Sequence, residues 1–124
     1  MRAIKGIAGG SSGSTAVKLV STTDATVTTI DTVPVPTNQV LMIKAKVVAK
    51  KDDFAMKGGA EVVGAYANNA GTVTRQGFVG NIFAQIEATW TVTLVISGTN
   101  VLVRVKGAAG TNISWKCQRT SVGV

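Results

Sequence analysis

Over residues 41–50 the chain alternates without a break. Leu41, Ile43, Ala45, Val47 and Ala49 fall on one parity, and Met42, Lys44, Lys46, Val48 and Lys50 on the other. Side chains two residues apart share a face of a β-strand, so this segment reads as a strand with one apolar and one cationic face. A helix would scatter the same residues around its axis. The chain is therefore committed to a sheet whose apolar side must be covered by another layer.

The same period recurs downstream. Residues 89–96 put Trp90, Val92, Leu94 and Ile96 opposite Thr89, Thr91 and Thr93, and Ser97, Gly98, Thr99 and Asn100 supply a turn. Val101, Val103 and Val105 then face inward while Arg104 and Lys106 face water. After a turn over Gly107, Ala108, Ala109 and Gly110, Ile113, Trp115 and Cys117 alternate with Ser114, Lys116 and Gln118. These three segments read as a meander, with Arg119 on its outward side. Upstream, residues 26–33 form a strand stopped by Pro34 and Pro36. Residues 60–67 and 72–76 form a hairpin about Asn68, Asn69, Ala70 and Gly71. Residues 77–85, with Phe78, Val79, Ile82 and Phe83, fit either a loop with a packed aromatic pair or a short strand. Roughly seven or eight short strands without a helix-length periodic segment predict an all-β fold, an antiparallel β-sandwich that is jelly-roll-like. A five-stranded oligonucleotide-binding barrel is the competing architecture, separated by strand count.

A chain of 124 residues accommodates one such domain and a short appendage. Residues 1–24 read as a flexible N-terminal arm and residues 25–124 as the sandwich. The stretch from Ile7 to Thr15 is rich in Gly and Ser, with no side chain large enough to offset its backbone entropy. The arm is either a floppy terminus or a docking element, because Arg2, Lys5 and Lys18 accompany Ile4, Ile7, Val17, Leu19 and Val20. Its glycines lack the Lys-Ser/Thr ending of a phosphate loop. No signal-peptide core and no apolar run near the ~18 residues of a membrane helix is present, so a soluble protein without a membrane partner is expected.

Histidine is absent and cysteine occurs once. Ser-His-Asp and Cys-His catalysis, His-ligated metals, Cys-clustered zinc and intrachain disulfides are thereby removed. Asp52 and Asp53 form the one adjacent acid pair, which reads as a solvated turn rather than a metal site. Asp31 and Glu87 are isolated. Cys117 reads as a small buried hydrophobe and Trp90 and Trp115 as core aromatics. The expectation is a chain that is not an enzyme and carries no cofactor or metal.

Thirteen Lys and Arg against six Asp and Glu give a net charge of +7. Lys44, Lys46 and Lys50 line one side of a strand, Lys51 and Lys57 follow, and Arg104, Lys106, Lys116 and Arg119 occupy outward positions later. Such a stripe can track a phosphate backbone, yet single-strand binders interleave exposed aromatics, and those here fall mostly at inward positions. Docking on an acidic protein lattice explains the same residues without aromatics. Solvated charge is the plain alternative.

The run WTVTLVISGTNVLVRVKGAAGTNISW at residues 90–115 resembles the closing strands of small β-sandwich domains in tailed-bacteriophage virion proteins. VLMIKAKVVA at residues 40–49, after the turn at Pro36, is similar to their opening strand, and the resemblance spans residues 26–124. It implies a virion structural protein made in the host cytoplasm. With no shaft or repeat ahead of the sandwich, it implies a head decoration or cement protein, trimeric over a three-fold joint. Ile4, Lys5, Ile7 and Lys18 of the arm would contact the major capsid protein or another virion protein, and Lys44, Lys46, Lys50, Arg104, Lys106 and Lys116 would form the basic surface. The alternative within the class is a tail, collar or fibre component contacting host surface glycans, with Tyr66, Asn68 and Asn69 as candidates. From another class, a basic single-stranded nucleic-acid-binding protein is the competing reading.

Overall fold

The alternating segment forms β3 (Val40–Lys51), in which every second residue from Leu41 to Ala49 is buried and the residues between them are exposed. The computed structural model describes residues 13–85 and 87–124, and the elements among them are strands. β3 is the middle of a five-stranded sheet. It pairs on one side with β4 (Lys57–Asn69) and on the other with β8 (Ile113–Gly123). β1 (Gly13–Thr22) adds beyond β8, and β5 (Thr72–Gln85) adds beyond β4. The facing sheet has three strands, β2 (Thr28–Pro34), β7 (Asn100–Lys106) and β6 (Thr91–Ser97), in that order. All pairings are antiparallel.

The result is an all-β antiparallel sandwich. The first strand pairs with the last and the second with the seventh, the nested order of a ribbon rolled up on itself, which gives the fold its jelly-roll character. The larger sheet is completed by the β3–β4–β5 meander. Its β4–β5 hairpin is closed by Ala70 and Gly71, both at positive φ (54° and 100°), the backbone that lets a two-residue turn follow the strand twist.

One expectation changes, one open alternative is resolved, and one segment gains a pairing. The final strands are not one meander: β6 and β7 form a hairpin in the smaller sheet, whereas β8 crosses to the larger one and inserts between β1 and β3. Alternation identifies a half-buried strand without naming its neighbours, and the turn residues at 107–110 serve a crossing between sheets as well as a hairpin. Residues 77–85 continue β5 as a strand, with the pairing register shifting between Val63 and Ala65; the side chains of Phe78, Val79, Ile82 and Phe83 lie outside the described residues. β1 runs through the segment read as an arm, with its backbone laddered to β8 from Gly13 opposite Val122 to Thr22 opposite Ile113. Ile4, Lys5 and Ile7 lie outside the described residues.

One core fills the space between the sheets. Val101, Val103 and Val105 of β7 are fully buried against Ile43, Val47, Val62 and Ile113 from the larger sheet, each such side chain contributing roughly 1.5–3 kcal/mol. Trp90, just before β6, meets Trp115 of β8 with ring centroids 5.5 Å apart and planes tilted by 55°. This edge-inclined contact joins the two layers. Trp115 Nε1 donates to Thr22 Oγ1 at 2.9 Å, so the end of β1 is tied into the same cluster.

The crossing from β7 to β8 passes through Gly107 at close quarters. A Cβ there would stand 2.6 Å from Ile113 Cδ1 and 2.9 Å from Thr22 Oγ1. Ile113 is buried and Thr22 is held by Trp115, so neither can step aside freely. Gly107→Ala is expected to lower stability by about 1–3 kcal/mol through overpacking, read as a lower denaturant midpoint at unchanged slope. An unchanged midpoint would show that the crossing has room to spare.

Candidate interaction surface

Among the described residues the buried polar side chains are Thr22, Asp31, Asn68 and Arg119. Arg119, expected on the outward side of the last strand, shares the parity of Ile113, Trp115 and Cys117 and points inward with them. Its partner reaches the interior by a different route. The register of β2 shifts between Thr29 and Asp31, and this bulge turns both Ile30 and Asp31 toward the core. Arg119 Nε donates to Asp31 Oδ2 at 2.8 Å, and Asp31 Oδ1 accepts from the Thr32 amide at 2.9 Å. Arg119 Nη1 also donates to Ser14 Oγ on β1. Cys117 lies beside the pair, and burial first, then the Asp31 charge, pushes its thiol up to about 11 against the opposing pull of Arg119. A thiol, a carboxylate and a guanidinium have the makings of a reactive group, but this thiol stays protonated at neutral pH and is closed off from solvent. The cluster works as a structural clamp between the sheets.

The groups that face outward are elsewhere. Lys44, Lys46 and Lys50 of β3 and Lys116 of β8 share the outer face of the five-stranded sheet: Lys44 is opposite Thr120, Lys46 opposite Gln118, Lys50 opposite Ser114 and Val48 opposite Lys116. Lys44 and Lys46 line a shallow polar groove with Gln118 and Thr120. Lys44 Nζ stands 3.8 Å from Glu61 Oε1, a solvent-facing pair worth about 0–1 kcal/mol. Arg104 and Lys106 belong to β7 and accompany Thr93 and Thr91 on the outside of the other sheet. The six basic residues therefore form two separate surfaces. Lys18, on β1, lines a third small hollow with Thr29, Asp31 and Thr32.

The cationic face is also apolar. Leu19 is 75% exposed, Val48 58% and Phe54 58%. Together with Lys50, Lys57 and Lys116 they line an open groove of about 400 Å³ at the end of the sheet where β3 turns into β4. Phe54 was legible only as an aromatic placed, against habit, in a polar turn after Asp52 and Asp53.

The residues proposed for glycan contact do not come together at the surface. Tyr66 is buried, and burial pushes its hydroxyl up. Asn68 is also buried; its Nδ2 donates to Val35 O at 2.7 Å and its Oδ1 accepts from the Gly71 amide at 2.8 Å, so it braces the hairpin. Asn69 alone is exposed. Trp90 and Trp115, which a single-strand binder would have to present, are in the core. Asp52 and Asp53 are exposed: Asp53 Oδ1 accepts from the Ala55 amide at 2.9 Å, which with the Lys51 contact holds its carboxyl below the usual range. Asp52 Oδ2 accepts from Asn112 Nδ2 at 3.4 Å. The pair is a solvated turn.

No family model matches the sequence, and no curated protein does. Among solved structures the chain is similar to the tailspike protein gp49 of Acinetobacter baumannii bacteriophage Fri1, a capsular polysaccharide depolymerase, with TM-score 0.55 and 12% identity over 94% of this chain and 19% of that one. Weaker likenesses are the tailspike proteins of Acinetobacter baumannii phage AM24, at TM-score 0.39 and 10% identity over 88% of this chain and 26% of that one, and of Acinetobacter phage vB_ApiP_P1, at 0.35 and 12% over 85% and 20%. This chain thus spans about a fifth of the Fri1 tailspike, and at such identity the likeness bears on the fold. The expectation that the chain is not an enzyme is corrected by this finding. A fold of this kind occurs within the chain of a depolymerase, so missing histidine and scattered carboxylates do not remove the chain from an enzymatic assembly.

The buried thiol and phenol bind their protons more tightly in the folded chain than in the unfolded one. The thiol's contribution to stability is fully present below its ordinary value of 9.0 and is lost as pH rises through about 11; the phenol's acts in the same direction and is lost only as pH rises beyond its ordinary value of 10.0. The melting temperature is expected to fall over that window, less steeply in Cys117→Ala. At pH 8 the folded thiol should react with an aromatic disulfide at least about a hundredfold more slowly than the unfolded one, from thiolate population alone. Equal rates would show that Cys117 is accessible.

Proposed function

We propose that the chain is a bacteriophage virion component of the tail, spike or fibre type, a β-sandwich unit stationed where the particle meets host surface glycans. The observation that carries this reading is the likeness to part of the Fri1 tailspike across 94% of the chain. It agrees with the resemblance of residues 40–49 and 90–115 to virion sandwich domains, and it favours the tail over head decoration. Binding to glycan is not assigned to Tyr66 and Asn68, whose side chains are internal. Its partners in this reading are other virion proteins, and the outer face of the five-stranded sheet, where Leu19, Val48 and Phe54 remain uncovered, is suited to meeting them.

Immunogold labelling of intact particles with an antibody to the chain tests this placement. Label on the tail or its spikes is the expected result. Label spread over the head shell would overturn it and restore the decoration reading.

A further inference from the structure

We propose that the groove at Phe54 is a docking site for an acidic polypeptide segment with an apolar anchor, supplied by a different protein. The proposal gives the chemistry of a partner for the uncovered face just described; it rests on the groove itself and does not need the tail assignment to hold.

The β3–β4 turn is built around an unusual choice. The Lys51 amide donates to Met56 O at 2.8 Å and the Phe54 amide to Lys51 O at 2.9 Å, which closes the turn with Phe54 at φ 60°. That left-handed conformation favours Gly or Asn and disfavours a bulky side chain. The strain does not place the ring in the core, because Phe54 is exposed. The turn instead presents it to the groove, beside Leu19 of β1 and Val48 of β3, with Lys57 Nζ 4.5 Å from the ring centroid. Ala70 adopts the same backbone with a small side chain to close a hairpin, whereas at Phe54 the conformation carries a large ring that gains no burial within the chain, which makes it a contact residue for the groove.

The lining chooses between occupants. Lys50, Lys57 and Lys116 surround the apolar floor, and among the described residues no carboxylate lines the groove; Glu87, nearby, accepts from the Lys57 amide at 3.4 Å. Asp52 and Asp53 on the adjoining turn are engaged with Asn112 and Lys51. A sugar would bring hydroxyl donors as well as acceptors, and among the described residues Ser114 is the one lining side chain with an oxygen to accept from them. A peptide with Asp or Glu flanking Leu or Phe needs only what is present: ammonium donors around an apolar, aromatic-bearing floor. A second copy of the chain would bring its net +7 against these lysines, which makes it a poorer match in charge than an acidic segment.

Panning the full chain against a short random-peptide library tests the proposal, with oligo-glucuronate as the polysaccharide probe and parallel selections on Phe54→Gly and on the double variant Lys50→Ser, Lys116→Ser. The glycine relieves the turn as it removes the ring, so the variant should melt no lower than the parent and a loss of binding reports on the groove. The expected outcome is enrichment of peptides combining Asp or Glu with Leu, Phe or Trp, whose affinity falls at least about tenfold in both variants and weakens with added salt. Failure to enrich any sequence, or peptides that bind both variants as well as the parent, would overturn the proposal. So would oligo-glucuronate binding more tightly than any peptide and losing that binding in the same variants, which would give the groove to an acidic polysaccharide.

Discussion

The sandwich depends on one buried ion pair that spans its two layers. Asp31 comes from the smaller sheet and Arg119 from β8, next to the edge of the larger, and the guanidinium also reaches Ser14 on the edge strand. Bringing both charges out of water is costly, and their attraction offsets that cost only while the 2.8 Å contact and its flanking hydrogen bonds are kept. The pair therefore acts on specificity. A one-residue slip of β8 would carry Arg119 to the solvent face and bring Lys116 and Gln118 inward, leaving Asp31 buried alone. β8 in turn fixes β1 and β3 on either side, so the register of three strands is tied to a single charge.

The two faces of the larger sheet have different tasks. Its inner face is closed by apolar residues at every other position, the tryptophan pair and the ion pair, and its single thiol is sealed among them. Its outer face carries lysines interspersed with uncovered Val17, Leu19, Met42, Val48 and Val122. Solubility alone would be served better by polar residues at these positions, whereas a surface met by another protein uses both kinds.

Much of this fold was legible in the sequence. β3 and β7 follow from strict alternation, because a half-buried strand writes its burial into every second residue, and the core roles of Trp90, Trp115 and Cys117 follow from the same parity; in β6 the alternation ends at Leu94, and Ile96, expected inward, is exposed where the strand runs out into its turn. Arg119 shared that parity, but its charge argued for solvent, and the carboxylate that makes burial tolerable was hidden by a bulge in β2 that no periodicity announces. β1 was obscured by a Gly- and Ser-rich composition although its pairing with β8 needs only backbone groups. Lys44, Lys46, Lys50 and Lys116 do face outward, but which strands lie side by side decides whether basic residues form one surface, and that is a property of topology. Phe54 fell in a turn whose residue types promised nothing beyond solvation.

The role of the ion pair is tested most directly by a double-mutant cycle on unfolding free energy, with Asp31→Leu, Arg119→Met and both together. If the pair locks the sheets, each single change, by leaving one charge buried and unpartnered, costs about 3–5 kcal/mol, and the double change costs far less than the sum. Small, additive losses in the two single variants would contradict it and place the cohesion of the sandwich in its apolar core alone.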